Sequence, residues 1–141
     1  MADKLPNPIT LSELLSTPVE DVEWLVDRLI PVGSLTALSG MPGYFKTWVA
    51  LHIAKSVSSG ESLFGHFDTI KGNVLLVDEE DHKNFLQIRF NTLQVDPGSK
   101  IYLWIMEGFK ADNASHMDQL KRFVQDHEIK LISFDSLVRI H

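Results

Sequence analysis

The sequence of 141 residues contains no cysteine. Without thiols the chain can form no disulfide framework, and it has neither a thiol nucleophile nor a cysteine ligand for zinc. Its six histidines never fall at a metal-ligand spacing on one predicted helix. We therefore expect no structural metal site.

Long apolar runs are also missing. No segment approaches the roughly 20 apolar residues that a membrane-spanning helix needs. The residues from Met1 to Pro6 lack the charged and apolar regions of a signal peptide. We expect a cytoplasmic protein with no membrane partner.

Positive charge is scarce, with 13 Lys and Arg against 19 Asp and Glu and a net charge of -6. Nucleic-acid binding rests on phosphate neutralisation by Lys and Arg, so the average surface is poorly suited to it. A local groove, or a ring of subunits lined with a few basic side chains, could still bind DNA. Hydrophobic residues make up 44% of the chain, which is enough for the core of one globular domain.

The chain divides into a lead-in and a core. Thr10 and Glu13 have the spacing of a capping box, which predicts a short helix that ends before Pro18. We assign residues 1–23 to an N-terminal lead-in helix and linker, and residues 24–141 to the core. Residues 19–32 are expected to pack on the outside of the first core strand.

From Ser34 onward short apolar runs alternate with amphipathic segments, which is typical of repeated βα units and a parallel sheet. The pattern predicts an α/β fold. Four strands are predicted, Ser34–Ser39, Asn73–Asp78, Ile101–Met106 and Lys130–Asp135, with helices near residues 46–59, 82–93 and 115–128.

The loop after the first predicted strand carries a phosphate-binding pattern. Residues 40–47 read G-M-P-G-Y-F-K-T and match G-x-x-x-x-G-K-[ST] at the first glycine, the lysine and the threonine. Backbone N–H groups in such a loop and at the helix start point at the anion. We expect Lys46 to reach the β- and γ-phosphates of ATP and the Thr47 hydroxyl to bind Mg²⁺. The predicted nucleotide-binding residues are Gly40, Met41, Pro42, Gly43, Tyr44, Phe45, Lys46, Thr47 and Trp48.

One consensus position differs, because Phe45 stands where the second glycine is expected. A side chain there restricts the backbone torsions, and the alternative interpretation is a degenerate loop in an ordinary α/β turn.

Carboxylates follow two of the predicted strands. Asp78-Glu79-Glu80-Asp81 ends the second strand, at the sheet edge that carries the phosphate loop. ATP hydrolysis needs a carboxylate that orients the attacking water, and strand parity places Asp78 and Glu80 on one side and Glu79 on the other. Periodicity alone does not choose among them. Asp135 follows an apolar run in the Walker B arrangement and is the predicted second Mg²⁺ ligand.

These blocks resemble the RecA-like ATPases of the RepA type, the hexameric replicative helicases often described as AAA-domain ATPases. The resemblance rests on residues 30–36, 40–51, 74–81 and 131–141. It implies a three-layer αβα P-loop NTPase fold, a catalytic role for Glu80 together with Lys46, tolerance of an aromatic residue at Phe45, and a homohexameric ring. Arg89 recurs in the family pattern, but a surface charge is the favoured interpretation.

In proteins of this type a further strand, the loops that bind single-stranded DNA, and an arginine finger follow Walker B. We therefore expect a truncated core that is incomplete at its C-terminal side, with a gap beside the phosphate-loop strand that exposes apolar faces. The resemblance implies an ATPase motor for DNA replication or a mobile element. The alternatives are an ATP-binding switch or inactive remnant with little turnover, and, less favoured, a small-molecule phosphotransferase.

Overall fold

The computed structural model describes residues 6–140; residues 1–5 and His141, at the ends of the predicted lead-in and core, lie outside the described residues. The helices are α1 (Leu11–Ser16), α2 (Lys46–Ser59), α3 (Lys83–Thr92) and α4 (Ala114–Asp126). The strands are β1 (Trp24–Val26), β2 (Ile30–Pro31), β3 (Asn73–Asp78), β4 (Ile101–Ile105) and β5 (Ile129–Asp135), and a 3-10 turn spans Leu137–Arg139.

The main sheet has three parallel strands in the order β4-β3-β5. The central strand, β3, is apolar on both faces and its residues from Val74 onward are buried, as the sequence pattern predicts for a parallel strand covered on both sides. Its last residue, Asp78, pairs in register with Ile105 of β4 and with Asp135 of β5. The two carboxylate-bearing strand ends therefore lie side by side.

Helices cover both faces of this sheet. Val74 and Leu76 of β3 pack in one buried cluster with residues of α2, of α3 and of β1. Leu75 and Val77, which point to the opposite face, pack with Leu120 of α4 and with residues near the C-terminus. The predicted α/β class, parallel sheet and three-layer αβα arrangement are confirmed.

The first predicted strand is not formed. Residues 34–39 are neither helix nor strand, and Leu35 is 96% exposed. An extended segment becomes a strand only when a neighbour accepts and donates its backbone hydrogen bonds. Within residues 6–140 the sheet ends at β5, and nothing pairs with the segment. The prediction of strand Ser34–Ser39 is therefore wrong for this structure, although Leu35 and Leu38 are exposed as the expected gap implies.

Within residues 19–32, two short strands contribute to the core. β1 and β2 form a small antiparallel sheet, and Leu25 and Val26 of β1 are buried against α2 and β3. The Leu25 carbonyl accepts a hydrogen bond from the Ile70 amide at 2.9 Å. The expectation that residues 19–32 pack on the outside of a first core strand is thus corrected.

The helices follow the sequence pattern closely. The capping box at Thr10 and Glu13 is present, with both reciprocal hydrogen bonds. Helix α2 has the predicted bounds and ends at Gly60, whose φ of 80° is the left-handed conformation that glycine adopts without strain. No helix in the described part of the chain is both long enough and apolar enough to span a membrane.

Candidate active site

Thr47 and Asp135, 88 positions apart in the chain, meet at the carboxyl edge of the sheet. The Thr47 hydroxyl, in the first turn of α2, donates a hydrogen bond of 2.8 Å to Oδ2 of Asp135, the last residue of β5. Ser133 and Asp78 line the same small cleft. The structure therefore brings together the two residues that the sequence predicts as Mg²⁺ ligands.

The phosphate loop curls around its own lysine. The Lys46 ammonium donates hydrogen bonds to the carbonyl oxygens of Gly40 at 2.7 Å and Met41 at 3.0 Å. Gly43 has a φ of 84°, and Phe45 has a φ of 56°. The predicted loop residues thus form one compact turn in which Phe45 adopts the left-handed conformation that the consensus glycine would adopt easily.

The start of α2 has no side-chain cap. Thr10 caps α1 and Asn113 caps α4, whereas Phe45 has no oxygen to offer the first amides of α2. Among the amides of residues 41–47 only that of Tyr44 donates to an acceptor in the described part of the chain. Uncapped amides at a helix N-terminus, with the positive end of the helix dipole, favour an anion.

Asp78 is the carboxylate that sequence reasoning left undecided. Its side chain is buried and accepts hydrogen bonds from the amides of Glu80 at 2.9 Å and Asp81 at 2.7 Å. Burial raises the pKa of Asp78 to about 6, the hydrogen bond from Glu80 opposes this shift, and the nearby charge of Asp135 adds to it. Asp78 therefore shapes the loop and the charge of the site.

Glu79 points away from the cleft, as strand parity predicts. Its carboxylate accepts hydrogen bonds from the amides of Gly108 at 3.1 Å and Phe109 at 2.9 Å, in the loop between β4 and α4. It is buried and engaged with these two donors. Glu79 consequently tethers a loop on the far side of the sheet from Thr47.

Glu80, the predicted catalytic base, is exposed, and its carboxylate makes no hydrogen bond or ion pair with any residue in 6–140. No hydrogen bond or ion pair in the described part of the chain joins it to Lys46 or Thr47. Its neighbour Asp81 is ion-paired with Arg89 of α3. The interpretation of Arg89 as a surface charge is wrong, since only 23% of its side chain is exposed.

Trp48 lies beside this ion pair. Its indole ring centroid is 5.9 Å from the guanidinium carbon of Arg89. Neither contact could be predicted from the position of Arg89 in the sequence, because Asp81 and Trp48 lie outside α3. The recurrence of Arg89 in the family pattern was the only available signal.

A separate pocket of about 320 Å³ lies between the end of β4 and α4, lined by Trp104, Glu107, Phe109, His116 and Gln119. Nδ1 of His116 accepts the Lys110 amide, and its ring stacks on Phe109. The imidazole is thus engaged in holding the loop. The pocket lies on the α4 face and does not include the phosphate loop.

The sequence of the chain matches a known family model. That model, described as AAA domain, covers residues 3–141. The chain belongs to the AAA domain family. These AAA domains are nucleotide-binding ATPases of the P-loop class, and the three-layer structure agrees with a RecA-like P-loop NTPase. A search of curated proteins finds no significant match to the chain.

The site residues fit a magnesium nucleotide. Mg²⁺ is commonly held by one or two protein oxygens and keeps water and phosphate oxygens as its other ligands. The Thr47 hydroxyl and Asp135 carboxylate offer such a pair. Within residues 6–140 no group of three or more His, Cys, Asp and Glu side chains forms a metal cage. The uncapped amides and Lys46 supply donors for phosphate oxygens.

Proposed function

We propose that this AAA domain binds Mg-ATP at the loop Gly40–Thr47 and hydrolyses it. The observation that carries the proposal is the hydrogen bond between Thr47 and Asp135 at the uncapped N-terminus of α2. It joins the phosphate loop to the Walker B strand, which is the pairing that a metal shared between the phosphates and the protein requires.

Each residue has a distinct proposed task. Lys46 holds the β- and γ-phosphates, and the loop amides of residues 40–48 bind the phosphate oxygens, except at Pro42, which has no N–H group. Thr47 and Asp135 hold Mg²⁺, which when bound neutralises charge on the phosphate oxygens. Glu80 accepts a hydrogen bond from the attacking water and orients it. Its exposed carboxylate, free of protein partners in the described part of the chain, is available for that task.

Beyond ATP hydrolysis, we propose that the domain serves a RepA-like DNA motor. Support comes from the resemblance in residues 30–36, 40–51, 74–81 and 131–141. In this proposal the full-length protein assembles as a hexameric ring and acts on single-stranded DNA through loops that follow Walker B. The test uses a longer form of the protein that includes the strand and the DNA-binding loops expected after Walker B. It measures the oligomer mass with and without Mg-ATP and the stimulation of ATPase activity by single-stranded DNA; a monomer that is not stimulated would exclude the motor.

A switch that binds ATP with little turnover is the second candidate. The observation that favours it is that, within residues 6–140, no hydrogen bond joins the Glu80 carboxylate to Thr47 or Asp135. A switch would show tight nucleotide binding, a conformational response to ATP and a turnover that Glu80→Gln leaves unchanged.

The two candidates are separated by comparing Glu80→Gln with Lys46→Ala. For an ATPase we expect Glu80→Gln to keep nucleotide affinity and to lower kcat by about 100-fold or more, as loss of a general base does. Lys46→Ala should weaken binding of a fluorescent nucleotide. Glu61→Gln, which removes a carboxylate from an exposed loop, is the matched control and should change neither quantity.

A further inference from the structure

Arg89 connects two parts of the site that are distant in sequence. From α3 it donates a hydrogen bond to Oδ2 of Asp81, and only 23% and 19% of the two side chains are exposed. Its guanidinium also lies over the ring of Trp48. Trp48 directly follows Thr47 in the first turn of α2. Arg89 therefore bridges the helix that begins at the phosphate loop and the loop that follows β3.

The loop after β3 is held at both of its ends. On one side the Asp78 carboxylate accepts the amides of Glu80 and Asp81. On the other side the Asp81 carboxylate is bound by Arg89. Glu80 lies between these two anchors, and its own side chain is exposed. Its backbone position is thus determined by neighbours, because its carboxylate has no protein partner in residues 6–140.

Two opposite charges that are mostly sheltered from water attract each other more strongly than exposed charges, because solvent screens them less. The planar guanidinium can bind a carboxylate and stack on an aromatic ring at once, which the compact ammonium of lysine does less well. Both properties suit a group whose task is to hold a loop at one distance from a helix.

We propose that Arg89 is a positioning residue that, through Asp81 and Trp48, holds Glu80 at a defined place relative to the phosphate loop. The inference rests on the proposed role of Glu80 in ATP hydrolysis. Arg89 itself touches neither substrate nor water in this proposal. Its effect on turnover therefore passes entirely through Glu80.

Kinetics in two backgrounds test this dependence. In the otherwise unchanged protein we expect Arg89→Ala to lower kcat by about 10- to 100-fold, as a misplaced group does, with KM within about threefold. In a Glu80→Gln background the same substitution should lower single-turnover rates less than about twofold, because the group that it positions is already removed. Arg89→Lys, which keeps the charge but stacks less well, should restore part of kcat. Single-turnover rates are measured in both backgrounds, and equal fold-losses of this rate would overturn the proposal.

Amide hydrogen exchange in the nucleotide-free protein provides a readout without activity. We expect Arg89→Ala to speed exchange at Glu80 and Asp81, whose amides are bound to Asp78, while the β3 amides stay protected. Unchanged exchange rates at both positions would contradict the proposal that Arg89 holds the loop after β3. If Arg89→Ala fails to fold, Asp81→Asn breaks the same ion pair with almost no change of shape, and the same results are expected.

Arg122→Ala is the matched control, since it removes an exposed arginine from α4. It should leave kcat and exchange unchanged. If Glu80→Gln leaves kcat unchanged, the proposed function fails, and the exchange experiment still shows whether Arg89 holds the loop. Faster exchange together with an Arg89→Ala loss that does not depend on Glu80 would assign Arg89 a structural role only.

Discussion

At Phe45 the phosphate loop departs most from its consensus, and the structure shows what the position demands. The residue has a φ of 56°, and its side chain is 70% exposed. For a residue with a Cβ atom the left-handed conformation costs roughly 1–2 kcal/mol, whereas glycine adopts it freely. The phenyl ring is mostly exposed to solvent. We therefore expect that phenylalanine in place of the consensus glycine strains the loop backbone but does not fill the space inside the loop.

We predict that Phe45→Gly is more stable than Phe45→Ala by about 1 kcal/mol. Both substitutions remove the ring, so their difference reports the backbone conformation. Chemical denaturation of the two variants measures it. An alanine variant as stable as the glycine variant would show that position 45 does not need a positive φ.

Asp78 should make stability depend on pH. Its pKa is raised by burial to about 6 in the folded protein, against an ordinary value of 3.8. Between these values the folded state keeps a proton that the unfolded state has lost, so stability falls as pH rises from about 4 to about 6. Above about pH 6 Asp78 is ionised in both states, and its ionisation lowers the free energy of unfolding by a constant amount of at most about 3 kcal/mol.

Asp78→Asn should remove this contribution while keeping an oxygen that accepts the amides of Glu80 and Asp81. We predict that the variant exceeds the original protein in stability at pH 7 and that the difference vanishes near pH 4. Denaturation curves without nucleotide or magnesium measure it. A difference that is constant over this pH range would contradict the assignment.

At the scale of elements, Glu79 ties the end of β3 to the loop between β4 and α4. Its carboxylate accepts the amides of Gly108 and Phe109, and the Phe109 side chain is buried in the α4-side cluster. An unpaired buried amide, such as that of Phe109 would be without Glu79, is unfavourable by about 1–3 kcal/mol. The tether therefore sets how this loop meets the core.

We predict that Glu79→Ala lowers the free energy of unfolding by roughly 2 kcal/mol. Glu79→Gln keeps one side-chain oxygen that accepts a backbone amide, so it should lower the free energy of unfolding by less than half of that amount. Nucleotide affinity should be unchanged in both, because the tether lies on the opposite face of the sheet from Thr47. Thermal denaturation and nucleotide titration provide the two measurements. A large loss of affinity in Glu79→Gln would place Glu79 in the nucleotide site instead.

Helices and buried strands were well predicted at this scale. The bounds of α2 agree with the pattern, and β3, β4 and β5 lie within one residue of their predicted ends. Apolar periodicity, a capping box and terminal glycines are local signals, and these elements obey them. Ser34–Ser39 carries a similar apolar pattern and forms no strand, because a strand also needs a partner that local sequence does not supply.

On the scale of the whole molecule, the main feature is the exposed apolar residues in the segment from Leu35 to Met41 and in the turn after β5. Leu35 is 96% exposed and Val138 is 85% exposed, and Leu38, Met41 and Leu137 are exposed as well. The main sheet ends at β5, whose outer edge has no strand partner within residues 6–140. Such edges and apolar surfaces favour association between chains.

We predict that the 141-residue chain binds a hydrophobic dye, associates as its concentration rises and unfolds over a broad temperature range. Replacing Leu35 and Leu38 with serine should reduce dye binding and association. Sedimentation and calorimetry measure these properties. A monomer with a sharp two-state transition would contradict the prediction.

In the candidate site, too, some features could be predicted from local sequence and others depend on the fold. Residues contiguous in the chain, from Gly40 to Thr47, are recognisable from sequence because their spacing follows from the geometry of one loop and one helix start. The pairing of Thr47 with Asp135 was predictable from the rule that parallel strands share a carboxyl edge. The roles of these residues in nucleotide and metal binding stay predictions.

By itself, the sequence determined the parallel core, the phosphate loop and the carboxylates at one sheet edge, because each follows from local periodicity and spacing. Only the tertiary structure decided which strand would lack a partner, which amides the buried Glu79 would accept and what Arg89 would bind. Those outcomes depend on contacts between segments far apart in the chain. The free energy of such contacts depends on shared burial and matched donors, which no single segment contains.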